Sequence, residues 1–160
     1  MVKSCLGNVG VFPILELIRQ QASQKSCSCQ ALLENILSPF DNAVIQRKRL
    51  SEVFGFDYQI ECYVPPAKRQ YGYFSFPLLW GSEFVGRMDA KIDRKTHIFH
   101  IQNLHLETVK LNEFIEVLKP LLKAFMHFNR GKEIQLHNVT CNQHIDVNKE
   151  ADIKQRLQGW

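Results

Sequence analysis

Cationic and aromatic side chains are concentrated in one stretch of the sequence, residues 57–97. The stretch carries six cations, and two tyrosines lie among them: Lys68, Arg69, Tyr71, Tyr73, Arg87, Lys91, Arg94 and Lys95. Guanidinium and ammonium groups neutralise phosphates, and tyrosine rings stack on bases, so these residue types together are typical of a surface that binds nucleic acid. In the alternative interpretation, the rings are core or hairpin residues and the charges only keep the sheet soluble.

Catalytic and metal-binding motifs are a second possible source of chemistry. The sequence contains no G-x-S-x-G, no Walker-type lysine motif and no G-x-G-x-x-G. Asp89 and Asp93 fall on one strand face and could act as acid and base, but the cations beside them favour ion pairing. His97 and His100 alternate across a strand, so their spacing does not form a chelate. The pair Cys27 and Cys29 lacks zinc spacing. We therefore expect no metal and no cofactor.

Composition places the chain among ordinary globular proteins. Its 160 residues are 45% hydrophobic and carry a net charge of +4, which permits a nucleic-acid partner without requiring one. Five cysteines, an odd number, favour reduced thiols and a cytoplasmic location over a disulfide framework. No apolar run in the sequence reaches the length of a membrane span, so we expect no membrane partner.

Hydrophobic periodicity predicts helices in the first third of the chain. One helix is predicted over 13–24, a short second helix over 32–37 ending before Pro39, and a third over 42–54. Asp41 is the expected N-cap of the third helix, and Gly55 is expected to end it. In that helix, the residues expected to point inward are Val44, Ile45, Leu50, Val53 and Phe54.

Alternation then predicts four antiparallel strands, over 58–63, 70–80, 84–93 and 97–107, with a two-residue turn at Gly81-Ser82. In the third strand, Phe84 and Met88 are predicted on one face, and Val85, Arg87 and Lys91 on the other. Gly72 and Gly86 would allow close approach of a backbone.

Spacing of three and four then predicts a long amphipathic helix from Leu111 to beyond Phe125, ended near Gly131. EIQLHNV at 133–139 is expected to form one more strand, and the polar tail over about 148–157 a short helix. The predicted fold is α+β: an antiparallel β-barrel or strongly curled sheet, a long helix packed against it, and a short helical N-terminal part.

Several motifs of the middle region occur together in one known family. They are SPFDN at 38–42, RKRL at 47–50, FGFDY at 54–58, YVPPAKRQYGY at 63–73, and PLLWG with VGRMDAK within 77–91. In this order they closely resemble the C-terminal part of the winged-helix crosslink-repair DNA glycosylases, the YcaQ family. The resemblance implies tandem winged-helix units followed by a β-barrel that together cradle DNA. It also implies hydrolysis of the N-glycosidic bond of damaged bases.

The family's catalytic motif, Gln-apolar-Gln or Gln-apolar-Asp, has no counterpart in this sequence, so no catalytic residue is assigned. RQQASQ at 19–24 lacks the spacing, and Gln135-Leu136-His137 ends in the wrong residue. We expect a short helical N-terminal segment over 1–37 and a barrel-like module over 38–160. The chain alone is expected to be inactive, as the C-terminal barrel module left as a short open reading frame, a remnant, or one piece of a split protein.

The resulting hypothesis is a module that binds double-stranded DNA. The residues expected to contact DNA are Arg47, Arg49, Lys68, Arg69, Tyr71, Tyr73, Arg87, Lys91, Arg94 and Lys95. Two alternatives stay open. One is an active glycosylase that uses a replacement acid or base, such as Asp89 or a histidine, or a separately encoded N-terminal winged-helix partner. The other is a non-catalytic protein-interaction remnant with no nucleic-acid role.

Overall fold

The computed structural model describes residues 34–107, 111–142 and 147–158. The predicted helix over 13–24 lies outside the described residues, as does nearly all of the predicted N-terminal segment.

A mixed six-stranded sheet forms the centre of the fold. Its strands are β1 (Glu34–Ile36), β2 (Ser75–Trp80), β3 (Glu83–Asp93), β4 (Ile98–Leu106), β5 (Glu133–Leu136) and β6 (Val139–Cys141). The first four pair antiparallel in chain order, whereas β5 and β6 run parallel to β4 along successive parts of it. The sheet is strongly curled, and among the described residues its ladder ends at β1 and β5 without closing. The predicted α+β class with a curled sheet is confirmed.

The described part of the chain contains four α-helices beside the sheet: α1 (Asn42–Ile45), α2 (Arg47–Phe54), α3 (Leu111–Phe128) and α4 (Val147–Gln158). The predicted long helix and the predicted short C-terminal helix are confirmed. The side chain of Asp41 caps α1 by accepting the N–H of Ala43, and Gly55 ends α2 with φ of 61°, a conformation that glycine adopts without steric cost. None of the described helices is both long and apolar enough to cross a membrane.

The main core lies between one face of the sheet and helices α3 and α4. Both helices supply fully buried aliphatic side chains because their apolar residues recur every three or four positions. The sheet supplies the other half of the core, mostly from β3 and β4. Its most deeply buried members are Met88, Ile101, Leu104, Leu106, Ile115, Leu118, Leu122 and Leu157.

A smaller core joins α1 and α2 to the start of β3. It is built from Leu37, Val44, Leu50, Phe56, Tyr58 and Phe84. The inward orientation predicted for Ile45, Val53 and Phe54 is wrong, since these side chains are 55%, 66% and 42% exposed. The predicted helix is broken at Gln46, with φ of −88° and ψ of 76°, so residues 42–54 do not share one continuous apolar face.

Two other predicted elements are corrected by tertiary pairing. Residues 34–36 form a strand instead of part of the predicted helix over 32–37, because they pair with Leu78 to Trp80 of β2. The predicted strand over 58–63 does not form. Tyr58 and Ile60 are buried in the predicted alternation, but Glu61 is buried as well, and this segment packs through its side chains and joins no ladder.

A bulge in β3 changes which residues share a face. The pairing passes from Gly86 opposite Leu78 to Phe84 opposite Leu79, so Val85 is the extra residue. Val85 therefore joins Met88 in the main core, and Phe84 joins the smaller core on the other side. The predicted faces are wrong at these two residues, whereas alternation holds from Gly86 onward. We call the face with Arg87, Asp89 and Lys91 the outer face.

Gly86 is required because the backbone of β4 passes beside it. A Cβ atom at this position would lie 2.4 Å from the carbonyl oxygen of His105. We expect Gly86→Ala to lower the free energy of unfolding by about 1–3 kcal/mol, since a backbone atom in a central strand cannot move away cheaply. Urea unfolding of the variant, beside Ser82→Ala in the exposed hairpin turn, measures the effect. Equal midpoints for the two variants would show that the strands shift freely.

Candidate nucleic-acid interface

An irregular segment, residues 57–74, covers the outer face of β3; we call it the covering loop. Its one regular element is a single 3-10 turn, Pro66–Lys68. The ring of Tyr71 lies over Arg87, and the amides of Tyr73 and Phe74 contact Asp89. The segment is the one with the densest mixture of predicted cations and tyrosines, so its conformation decides which of them face solvent.

Two carboxylates fix the second half of the covering loop. Glu61, which is only 7% exposed, accepts N–H groups from Gln70 at 3.0 Å, Tyr71 at 2.8 Å and Gly72 at 3.0 Å. Asp89 accepts the next two, from Tyr73 at 2.9 Å and Phe74 at 3.1 Å. Five successive amides are thus bound to charged acceptors, which make stronger hydrogen bonds than neutral ones.

Gly72 allows the loop to approach the strand at this point. Its φ is 131°, and a Cβ atom would lie 2.1 Å from Oδ2 of Asp89. The close backbone approach expected at this glycine is therefore to the protein's own carboxylate.

Arg69 closes the first half of the covering loop. Its Nε donates to the carbonyl oxygens of Glu61 at 3.2 Å and Val64 at 2.9 Å. Its guanidinium carbon lies 4.9 Å from the centre of the Tyr73 ring. Arg69 therefore braces the loop from within while remaining partly exposed, and neighbouring Lys68 is exposed to solvent.

Arg87 is buried and paired inside the protein. It is 4% exposed, and its Nη2 lies 2.9 Å from Oε1 of Glu107. Its guanidinium stands between two rings, 4.4 Å from the centre of Phe56 and 4.0 Å from that of Tyr71. The expected row of solvent-facing Arg87 and Lys91 does not form. Both lie on the outer face, but the covering loop hides Arg87 and leaves Lys91 exposed.

A polar cluster extends from Arg87 to the strand edge formed by β6. His105 is hydrogen bonded through its two ring nitrogens to Thr140 at 2.8 Å and to Asn142 at 3.1 Å. The side-chain amide of Asn142 also donates to Oε2 of Glu107, the carboxylate oxygen that Arg87 does not bind. Burial lowers the pKa of His105 below its ordinary value, and the charge of Arg87 acts in the same direction against the opposing effect of Glu107.

The remaining predicted cations form two exposed groups. Arg47 and Arg49 lie on α2, and the second donates to the carbonyl of Asn42 at 3.2 Å. Leu50 of α2 packs in the smaller core with Tyr58 of the covering loop, so this helix lies beside the loop. Burial raises the pKa of Tyr58, and the charges of Arg87 and Arg47 both act in the opposite direction. The second group is Lys91, Arg94 and Lys95 at the end of the β3–β4 hairpin. At about 3.3 Å per strand residue, Lys91 lies roughly 7 Å beyond Asp89, and β3 ends roughly 13 Å beyond it at Asp93, where the turn carries Arg94 and Lys95.

Asp89 and the histidines were the candidates for a replacement acid or base. Both carboxylate oxygens of Asp89 accept loop amides, which gives this residue a structural task. His100 and His137 stack, with their nearest ring nitrogens 3.1 Å apart. Within the ranges that the structure describes, no three metal-ligating side chains come together.

A comparison with protein families decides the relationship of the chain. The family described as DNA glycosylase AlkZ-like matches residues 16–127, which is well over half of the sequence. The chain belongs to the AlkZ-like DNA glycosylase family. The resemblance deduced from the motifs is thereby confirmed. No solved structure matches the chain.

In this AlkZ-like chain, several residues that shape the site carry no sequence signal of their own. In the sequence, Glu61 and Asp89 are recognisable only as possible ion-pair partners of the cations. Nothing in the sequence marks Glu107, His105 or Asn142 as members of the polar cluster around Arg87. The partners are separated by many positions, for example 35 between Asn142 and Glu107. No local spacing connects residues that meet only when separate strands pair.

The amides bound by Glu61 provide a direct test of the loop's rigidity. In Glu61→Ala, we expect the amide hydrogens of Gln70, Tyr71 and Gly72 to exchange about 10- to 100-fold faster, since each loses a bond to a charged acceptor worth about 1.5–3 kcal/mol. Hydrogen exchange followed by NMR measures this. Glu52→Ala, at an exposed site on α2, is the control. Unchanged protection in Glu61→Ala would show that other contacts hold the loop.

His105 predicts a pH dependence of stability. A histidine in the unfolded chain takes up a proton near pH 6.5, whereas the lowered pKa of folded His105 delays its protonation. Acidification below about pH 6.5 therefore favours unfolding, by at most about 1.4 kcal/mol per pH unit from this group.

The test compares unfolding free energies at pH 7.5 and pH 5.5 by urea titration. In His105→Gln, the unfolding free energy should fall less between the two pH values than it does in the wild type. In His127→Gln, which changes an exposed residue of α3, it should fall as much as in the wild type. An equal fall of the unfolding free energy in all three proteins would show that His105 is not the source of the pH dependence.

Proposed function

We propose that this chain binds double-stranded DNA through the covering loop and the exposed cations on either side of it. Membership of the AlkZ-like family supports a task in DNA repair. The observation that carries the proposal is the loop itself. Its five successive amides are fixed by two carboxylates, and the same segment presents Lys68, Arg69 and Tyr73 at the surface.

A fixed loop is suited to binding because less conformational freedom is lost on association. Ordering a residue costs about 1–2 kcal/mol, so a mobile loop of this length would lose much of the affinity gained from its contacts. Lys68 and Arg69 would contact successive phosphates, and Arg47 and Arg49 would extend this contact along α2. Tyr73 offers a partly exposed ring for a sugar or base.

The cations at the hairpin end would form a second contact. Lys91 lies roughly 7 Å from Asp89 along the strand, and Arg94 and Lys95 follow where β3 ends, roughly 13 Å from Asp89. One charge of duplex DNA occurs per about 1.7 Å of helix axis. A DNA backbone that contacts the covering loop can therefore also reach the cations at the end of the β3–β4 hairpin. Arg87 contributes indirectly in this proposal, as the support beneath Tyr71.

Base excision is the second candidate, favoured by the family match. Release of a damaged base would require hydrolysis of the N-glycosidic bond, with a water positioned by an acid or base. Asp89 is poorly placed for this step because its oxygens hold the loop. In this proposal a separately encoded N-terminal winged-helix chain supplies the catalytic groups and this chain supplies DNA affinity.

Salt-dependent binding tests the first candidate. The full chain is titrated into a fluorescein-labelled duplex at several salt concentrations and followed by anisotropy. For Arg47→Ala/Lys68→Ala, we expect weaker binding and a slope of log K against log salt that is smaller by about 1.8, since about 0.9 counterion is released per phosphate contact.

The matched control removes two lysines from helices α3 and α4, Lys123→Ala/Lys149→Ala, and should leave the slope unchanged. If both double variants lose affinity equally, net charge and not the covering loop governs binding. If the wild-type chain binds no duplex at low salt, the proposed function is wrong for this chain alone.

A further inference from the structure

Two histidines that take no part in holding the covering loop meet on the outer face of the sheet. His100 lies in β4, and His137 directly follows β5. Nδ1 of His100 lies 3.1 Å from Nε2 of His137, and the two ring planes differ by 22°. The pair is 37 positions apart in the chain, so no local spacing reveals it.

Strand pairing fixes the backbone beneath both rings. His100 stands between Lys91 of β3 and Gln135 of β5 in the registers of the two ladders. The N–H of His137 donates to the carbonyl oxygen of Ile101 at 2.9 Å. Because both backbones are held in the sheet, the two imidazoles are kept within reach of each other, and only side-chain torsions remain to adjust.

The separation of the two nitrogens suits two ligands of one metal ion. A zinc ion lies about 2.0–2.1 Å from an imidazole nitrogen that binds it. Two nitrogens 3.1 Å apart then form an angle of about 98° at the ion, between the octahedral and the tetrahedral values. The ion would lie about 1.3 Å from the line that joins the nitrogens, a position that both rings reach by turning on their broad terminal torsions.

A hydrogen bond between the two rings is the alternative use of the same contact. It requires one of the facing nitrogens to carry a proton and the other to accept it. Metal binding requires both nitrogens to be unprotonated, so the shared proton moves to the second nitrogen of its own ring and both rings stay neutral. The backbone is the same in both arrangements, because only torsions and one tautomer change.

The donor set determines which class of ion fits. Imidazole nitrogen suits transition metals, whereas Mg²⁺ and Ca²⁺ prefer oxygen ligands. Within the described ranges no third histidine, cysteine or carboxylate joins the pair, so water would complete the coordination shell. Charges of both signs flank the pair, since Lys91 lies opposite His100 and Glu133 accepts from the side chain of Gln135. Coordination, and not net charge, must therefore hold the ion.

We propose that one divalent transition-metal ion, such as Zn²⁺ or Ni²⁺, binds between His100 and His137 and crosslinks β5 to β4. Among the described residues, β5 lies at one end of the sheet ladder, so the ion would tie an end strand to a central one. An ion that binds the folded chain, in which the two rings are already together, stabilises it against unfolding. This inference is independent of DNA binding.

Nickel titration of the untagged, isotope-labelled full chain, followed by NMR, locates the site, because Ni²⁺ is paramagnetic and broadens the signals of nearby nuclei. We expect the amide signals of His100, Ile101 and His137 to broaden well before that of Ser82, at the other end of β3. Zn²⁺ should shift the same three signals, and Mg²⁺ at equal concentration should leave them unchanged. Broadening centred elsewhere, or equal shifts with Zn²⁺ and Mg²⁺, would overturn the inference.

Variants then test the two ligands by calorimetry. His100→Ala and His137→Ala should each weaken nickel binding by about tenfold or more, since the second imidazole acts as an intramolecular ligand. His127→Ala, which removes an exposed histidine from α3, should change it by less than about twofold. Unchanged nickel affinity in either of the first two variants would show that the pair does not chelate the ion.

Urea unfolding with and without Ni²⁺ gives a second readout. The unfolding midpoints of the wild type and of His127→Ala should rise with the metal, and those of His100→Ala and His137→Ala should not. The midpoints without metal show that each variant is folded, which is expected because neither ring is buried. An equal rise in all four proteins would place the stabilising ion elsewhere and overturn the inference.

Discussion

The outer face of this protein depends on two carboxylates that bind backbone amides. Glu61 lies within the covering loop and Asp89 lies on β3, and together they accept five successive N–H groups. Fixing a residue costs about 1–2 kcal/mol, and a hydrogen bond to a charged group returns about 1.5–3 kcal/mol. The two magnitudes are comparable, so this irregular segment can remain ordered without joining the sheet.

The same loop explains why a buried arginine is stable. Removing an unpaired guanidinium from water costs several kcal/mol. Arg87 offsets that cost with an ion pair to Glu107 and with two aromatic faces, one of which is Tyr71 from the loop. Because Glu61 fixes the amide of Tyr71, the ring that covers Arg87 is held from the loop side and the strand side at once. Loop and strand therefore stabilise each other.

This arrangement divides the positive charges of the region into two classes. Arg87 is enclosed, Arg69 is bonded to loop carbonyls, and the others extend into solvent from α2, the 3-10 turn and the β3–β4 hairpin. Arg69 and Arg87 hold the covering loop in its conformation. The exposed cations determine the electrostatic potential of the surface. Between them lies a cavity whose lining includes the carboxylates of Asp57, Glu61 and Glu107 beside the guanidinium of Arg87.

The sequence by itself determined the features that depend on near neighbours. The spacing of apolar residues specified the long helix and the α+β class. Residue types that favour caps and turns specified the helix cap at Asp41 and the hairpin at Gly81-Ser82. Ordered motifs specified the family. Only the tertiary structure decided that 34–36 joins the sheet, that Val85 bulges, and that Arg87 is enclosed while Lys91 is exposed. These outcomes depend on which distant segment covers a given face. Two arginines or lysines at equivalent strand positions have the same local pattern, and only the loop packed above them distinguishes their surroundings.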